Sequence, residues 1–273
     1  MWTSDDLVLK KICALLPDSH CRFRKLKLNN ILHTVEGCKA LVSALTLNLS
    51  YLIELDLSGN ELRDSGANQI SAMIRNPDCK LQSLRLCNTG IRKEGCAALT
   101  SALKSNPSNV IQLDLSRNQV GDLGMKQISA LLINADCKLQ RLLLSNNKIT
   151  EEGCATLTSA LISNPSHLIQ LNLCENKLGD SGVKQISSFL SNPDCKLQEL
   201  GLSSCGITGE GCTALALAVS SNPSHLTQLD LRQNPLNSSE VKLISYLLKG
   251  PNCKLQTLWL DPGSKSKFVK KKK

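Results

Sequence analysis

The chain repeats itself every 29 residues. The triplet Leu-x-Leu occurs at Leu26/Leu28, Leu55/Leu57, Leu84/Leu86, Leu113/Leu115, Leu142/Leu144, Leu171/Leu173, Leu200/Leu202, Leu229/Leu231 and Leu258/Leu260, always at that one step. A fixed period of this length means that one supersecondary unit is copied along the chain. A polar residue between two leucines marks a strand with one buried face. Each strand is followed by a segment with an apolar i, i+4 stripe, as at Leu99 and Leu103, which marks an amphipathic helix. A single unit cannot bury either face, so neighbouring units must stack on a shared core.

The units alternate between two kinds, so the true period is 58. Odd units carry Glu-Gly-Cys at residues 36–38, 94–96, 152–154 and 210–212. Even units carry Asp-x-Gly at Asp64/Gly66, Asp122/Gly124 and Asp180/Gly182, with Ser238 in place of the last aspartate. The even-unit Asp is expected to act as the N-cap of its own helix. The odd-unit Glu falls in a first helical turn, where the helix dipole favours an anion. Asn-Pro at Asn76, Asn106, Asn164, Asn192 and Asn222 reads as a helix stop, because proline bars its predecessor from helical geometry.

These signals predict strand, turn, helix and turn in every unit. Strands lie about 4.8 Å apart in a sheet and packed helices about 10 Å apart. That mismatch bends the stack. The expected fold is α/β, a horseshoe solenoid with nine parallel strands on the concave face and helices on the convex face. Residues 1–22 are expected to be the helical half of a partial repeat. Residues 23–260 hold the nine units, and 261–273 form a disordered lysine-rich tail. The half unit suggests a piece of a longer protein. The narrow space between layers accounts for a core of Leu, Ile, Val, Ala and Cys in a chain with only 3% aromatic residues.

The second unit shows the whole pattern L-x-x-L-x-L-x-x-N-x-L at Leu52, Leu55, Leu57, Asn60 and Leu62. With the alternating Glu-Gly-Cys and Asp-x-Gly signatures and the run Asp78-Cys79-Lys80-Leu81-Gln82, repeated at 136–140 and 194–198, the chain resembles the ribonuclease-inhibitor-like leucine-rich repeats. The spelling Ser-Asn-Pro-Ser-His-Leu is most similar to the C-terminal repeats of NACHT-containing NOD-like receptors of the kind expanded in fishes. The resemblance implies ligand sensing, autoinhibition of a NACHT domain in a longer chain, or both, in cytoplasmic innate immunity. It leaves open a free-standing inhibitor resembling ribonuclease inhibitor.

Asn60, Asn118, Asn147, Asn176 and Asn234 share one position just after the strand, where a carboxamide can serve backbone groups of adjacent turns. Ile31, Thr89, Cys205 and Gly263 interrupt that column. Side chains flanking and between the two leucines of each pair point away from the helices. Lys25, Lys27, Glu54, Asp56, Arg85, Asp114, Arg141, Leu143, Asn172, Asp230, Arg232 and Trp259 are therefore the candidates for contact with a protein partner. Glu199 and Asp261 belong to the same face. Its charges are mixed, which disfavours a nucleic-acid groove.

The formal charge of +9 is concentrated in the lysine tail, which alone keeps a nucleic-acid alternative open. No phosphate-binding, zinc-protease or hydrolase motif is present, so no enzyme, cofactor or metal is expected. No apolar run is long enough to span a bilayer. The start of the chain has no secretory pattern, and thirteen cysteines point to a reducing, cytoplasmic setting. The columns Cys21, Cys79, Cys137, Cys195, Cys253 and Cys38, Cys96, Cys154, Cys212 skip alternate units, too far apart for disulfides. Cys87 and Cys174 are expected to be exposed on the concave face and open to alkylation.

Overall fold

The computed structural model describes residues 4–16, 18, 22–32, 34–47, 49–106, 110–164, 167–221, 225–247 and 253–260. Trp2, Cys21, Asn222, Asp261, Gly263 and the lysine tail lie outside them. Among the described residues nine strands form one parallel sheet in sequence order: β1 (Lys25–Lys27), β2 (Glu54–Asp56), β3 (Ser83–Arg85), β4 (Gln112–Asp114), β5 (Arg141–Leu143), β6 (Gln170–Asn172), β7 (Glu199–Gly201), β8 (Gln228–Asp230) and β9 (Thr257–Trp259). The register advances by 29 at every pair, as in Leu55 beside Leu84 beside Leu113.

Helices alternate with the strands: α1 (Ser4–Leu15), α2 (Val35–Thr46), α3 (Arg63–Ile74), α4 (Lys93–Ser105), α5 (Gly121–Leu132), α6 (Glu151–Ser163), α7 (Gly179–Leu190), α8 (Gly209–Ser221) and α9 (Ser238–Leu247). Each packs on the next, so they form one layer behind the sheet. The central leucine of nearly every strand faces that layer and is buried, as are Leu57, Leu86, Leu115 and their equivalents. Each fully buried leucine contributes about 1.5–3 kcal/mol relative to exposure.

The even-unit aspartates do not cap their own helices. Asp64, Asp122 and Asp180 are each the second residue of α3, α5 and α7, and the N-cap residues there are the apolar Leu62, Val120 and Leu178, with no side-chain cap. The carboxylates reach forward to the next unit instead. Asp64 Oδ1 accepts from Arg92 N and Gly95 N, each at 2.8 Å. Asp122 accepts from Thr150 N at 2.9 Å and from its hydroxyl at 2.7 Å. Asp180 accepts from Thr208 N at 2.8 Å, its hydroxyl at 2.6 Å and Gly211 N at 3.1 Å. The free N–H groups at the start of α4, α6 and α8 thus receive a cap from the preceding unit. Burial opposes ionisation of Asp180, but these donors outweigh it and hold its carboxyl below the usual carboxylate range.

This forward reach explains the Glu-Gly-Cys glycine. A Cβ on Gly95, Gly153 or Gly211 would collide with the capping carboxylate of Asp64, Asp122 or Asp180. The odd-unit Glu sits in the first turn, as expected. At the other helix end, the odd-unit asparagines reach back. Asn106 Nδ2 donates to Ile74 O at 2.8 Å and Asn164 Nδ2 to Leu132 O at 2.9 Å, satisfying terminal carbonyls of α3 and α5. The opposite, odd-to-even joint is apolar. There Cys96 and Cys154 pack against the even-unit Gly124 and Gly182 and donate Sγ–H to their carbonyls at 3.7 and 3.3 Å. The two kinds of unit are the two halves of a joint.

Candidate recognition face

Just after each of β1 to β8 the backbone turns through a left-handed residue. Asn30, Gly59, Asn88, Arg117, Asn146, Glu175, Ser204 and Gln233 occupy that position with φ between 52° and 77°. The next residue is the asparagine column. Asn60 Oδ1 accepts from Ile31 N and Leu32 N at 2.8 and 2.6 Å, while Nδ2 donates to Leu28 O and Leu57 O at 2.7 and 2.6 Å. Asn118 serves Thr89 N and Ile91 N, and donates to Leu86 O and Leu115 O. Asn147 accepts from Val120 N and donates to Leu115 O and Ser145 O. Asn176 joins Asn147 N and Ile149 N to Leu144 O and Leu173 O. Asn234 repeats this between Cys205 N, Ile207 N, Leu202 O and Leu231 O.

Two interruptions of that column keep part of its bonding. The Thr89 hydroxyl donates to Leu86 O at 2.8 Å, and Cys205 Sγ–H to Leu173 O at 3.2 Å. The ladder holds the strand ends rigidly, and the face beyond them is what remains for a partner.

That open face consists of the two outer positions of each strand. One row runs Lys25, Glu54, Ser83, Gln112, Arg141, Gln170, Glu199, Gln228, Thr257; the other runs Lys27, Asp56, Arg85, Asp114, Leu143, Asn172, Gly201, Asp230, Trp259. At the first three strands the charges neutralise one another. Glu54 lies 2.8 Å from Arg85, 3.2 Å from Lys25 and 3.8 Å from Lys27, and Arg85 also approaches Asp56 at 3.9 Å. The Lys25 ammonium, followed by Arg85, lowers the Glu54 pKa against the effect of burial. Glu54 and Asp56 are buried beneath these side chains and withdrawn from solvent.

The polar column has an internal task as well. Asp56, Asp114, Asn172 and Asp230 each turn one Oδ onto the backbone N–H two residues on, at Ser58, Ser116, Cys174 and Arg232, over 2.9–3.1 Å. They stop the strand by an Asx turn. Asp230 is further paired with Arg232 at 2.7 Å. In the middle of the face the Arg141 guanidinium is exposed and has no ion-pair partner among the described residues, and Leu143 is half-buried beside it.

Beyond them, β6 to β9 enclose a depression of about 160 Å³. Gly201 stands at its floor where the other strands carry a side chain, and Asn172, Asp230 and Trp259 surround it. Asn172, Asp230 and Trp259 are among the residues expected on this face from the sequence; Gly201, the one glycine in its column, and the depression above it are not.

Cys174, expected to be exposed, is buried. Its Sγ accepts from Ser203 N at 3.3 Å and lies close under Gly201, and burial pushes its thiol pKa up. The small Gly201 lets the neighbouring strand close over the sulfur. Cys87 is half-buried, with its pKa also raised by burial. Among the described residues no group of three or more His, Cys, Asp or Glu side chains is placed to hold a metal, and no helix is long and apolar enough to cross a membrane.

A family model described as "Leucine Rich repeat" matches residues 47–71, 106–129, 135–157, 164–187 and 194–216. The chain carries leucine-rich repeats. Its repeats are 37% identical over 102 residues to "NACHT, LRR and PYD domains-containing protein 12" of Mus musculus, covering 37% of this chain and 9% of that protein. The Homo sapiens protein of the same name is 40% identical over 102 residues, covering 37% and 10%. "Ribonuclease inhibitor" of Sus scrofa is 43% identical over 75 residues, covering 28% of this chain and 16% of the inhibitor. The match thus spans 16% or less of each of these relatives' own length. The leucine-rich-repeat chain presents a rigid polar sheet face of the kind such modules use for protein interaction.

Proposed function

We propose that this chain is a non-enzymatic protein-recognition module, the ligand-sensing or autoinhibitory repeat region of a cytoplasmic NOD-like innate immune receptor. The observation that carries the reading is the 37–40% identity to the repeats of proteins that also bear a NACHT domain. The face from β4 to β9 fits a protein partner, with Asp114, Arg141, Leu143, Asn172, Asp230, Arg232 and Trp259 as contact residues. Lys25, Lys27 and Arg85 serve chiefly to neutralise Glu54 and Asp56. A NACHT domain in the same longer chain is the intramolecular partner.

The test is the full-length transcript. A NACHT coding region with its phosphate-binding loop upstream of Met1 is expected, and an in-frame stop immediately upstream would sink the receptor reading. The 43% identity to the Sus scrofa inhibitor favours a second reading, a free-standing inhibitor. Stoichiometric block of a pancreatic-type ribonuclease by the purified chain would establish that second reading, and undiminished cleavage would exclude it.

A further inference from the structure

The depression at the C-terminal third of the open face has a chemistry distinct from the rest of that face. The geometry points to a receptor notch for one cationic side chain, arginine or lysine, of a protein partner. The inference rests on the reading of the open face as partner-binding and specifies what the partner must present there.

The notch opens over Gly201, where a Cβ would come within 2.9 Å of Cys174 Sγ and 3.0 Å of Asn172 Oδ1, so those two side chains form part of its lining. β7 places Gly201 between Asn172 on β6 and Asp230 on β8, at the register position filled by Lys, Asp, Arg, Leu, Asn or Trp elsewhere. The gap is about 160 Å³, room for a guanidinium or ammonium head with part of its stem. Trp259 on β9, next to Asp230 in register, forms one wall, and a cation over an indole face is attracted by the ring quadrupole. Glu199, two residues before Gly201, forms the other.

The charge balance decides the sign of the occupant. Asp230 is already neutralised by Arg232 through two bonds, at 3.0 and 2.7 Å. Glu199 is not. It accepts from Gln228 Nε2 at 3.2 Å, and among the described residues no cation lies within ion-pair distance of it. The half-buried notch therefore holds one uncompensated negative charge beside an aromatic wall. Anions are repelled, and a neutral side chain would leave the carboxylate uncompensated. Cavity size, ring and charge agree on a single cationic head.

The test uses the whole chain, isotope-labelled, titrated in separate runs with N-acetyl-arginine amide, N-acetyl-lysine amide and N-acetyl-glutamate amide while the Gly201 amide and the Trp259 indole signals are followed by NMR. Saturable shifts of both signals with the arginine or the lysine probe, and none with the glutamate probe, are expected. Comparing the two cationic probes tells which head fits. Glu199→Gln keeps the shape and removes the charge, and should weaken the binding by roughly five-fold. Trp259→Leu removes the ring and should weaken it similarly, with circular dichroism confirming that both variants remain folded. Absence of saturation with either cation, equal response to the glutamate probe, or unchanged affinity in Glu199→Gln would each overturn the notch. None of those results bears on the upstream NACHT region, so the receptor reading stands or falls separately.

Discussion

The Oδ1 atom of Asp122 fills the space that a Cβ on Gly153 would occupy. One residue lies in the first turn of α5 and the other in the first turn of α6, so a single steric vacancy admits the cap that joins two units. Gly153→Ala is expected to cost about 1–3 kcal/mol, the range for forcing a methyl into a packed site. In an Asp122→Ala background the same methyl should cost less than half as much. Urea unfolding of the four members of this cycle measures the coupling, and a coupling energy near zero would refute the joint.

The asparagine ladder makes a separate prediction. Asn176→Ala orphans the N–H groups of Asn147 and Ile149 and the carbonyls of Leu144 and Leu173. The expected loss is about 1–3 kcal/mol, the desolvation cost of buried partners left unmade. Thr89→Asn, which restores the ladder residue, should be neutral or stabilising. Chemical denaturation midpoints at constant slope decide both; an unchanged midpoint for Asn176→Ala would contradict the bonding described.

Alkaline pH should unfold the chain earlier than its backbone alone would require. Burial pushes the thiols of Cys96, Cys154 and Cys205 up to about 12, from an ordinary value of 9.0. In the unfolded chain they ionise near 9, so the folded state binds the extra protons. The stability they contribute is complete below pH 9 and is lost as pH rises from there towards 12. Each thiol contributes about 1.4 kcal/mol of loss per pH unit in that window. Urea midpoints measured from pH 7 to 10.5 should be level at first and then fall, and Cys205→Ala should flatten the fall. A midpoint independent of pH would rule this out.

Alkylation should separate the two cysteines near the open face. Cys87 is half-buried and Cys174 buried beneath Gly201 and Ser203. Iodoacetamide under native conditions, read by peptide mass spectrometry, should label Cys87 well ahead of Cys174. Equal rates would mean that Cys174 is accessible.

The left-handed turn positions supply a stabilising change. Lys148 has φ 59° where the equivalent odd units have Gly90 and Gly206. A non-glycine residue there costs about 1–2 kcal/mol, and glycine repays part of that gain through lost chain entropy. Lys148→Gly should therefore raise stability by about 0.5–1 kcal/mol, seen as a higher thermal midpoint; a lower one would contradict it.

The repeat, the strand register and the buried leucines were legible because period-2 and period-29 patterns map directly onto strand faces and stacking. Asn147 and its column were legible for the same reason, since a carboxamide at a fixed strand-end position has few tasks. The destination of the Asp122 carboxylate was not. Its partners lie 28 or more residues away at another helix, and the collision with Gly153 shows only why that glycine tolerates no side chain. The withdrawal of Glu54 was equally hidden, because its burial comes from long basic side chains on flanking strands. The notch at Gly201 is written in the sequence only as an absence within one column, and an absence acquires meaning once its walls are known.

The alternation of joints also governs how such a chain can change length. Removing one 29-residue unit would bring two units of the same kind together; glycine recurs at the same position in both kinds, as at Gly95 and Gly124, so the vacancy would persist while the alternation of the aspartate and the cysteine that face it would be lost. Removing or adding 58 residues recreates every joint unaltered. Lineages of this architecture would then gain and lose reach in two-strand increments, about 10 Å of sheet at a time, and a cap-bearing pair, rather than the single repeat, would be the heritable building block.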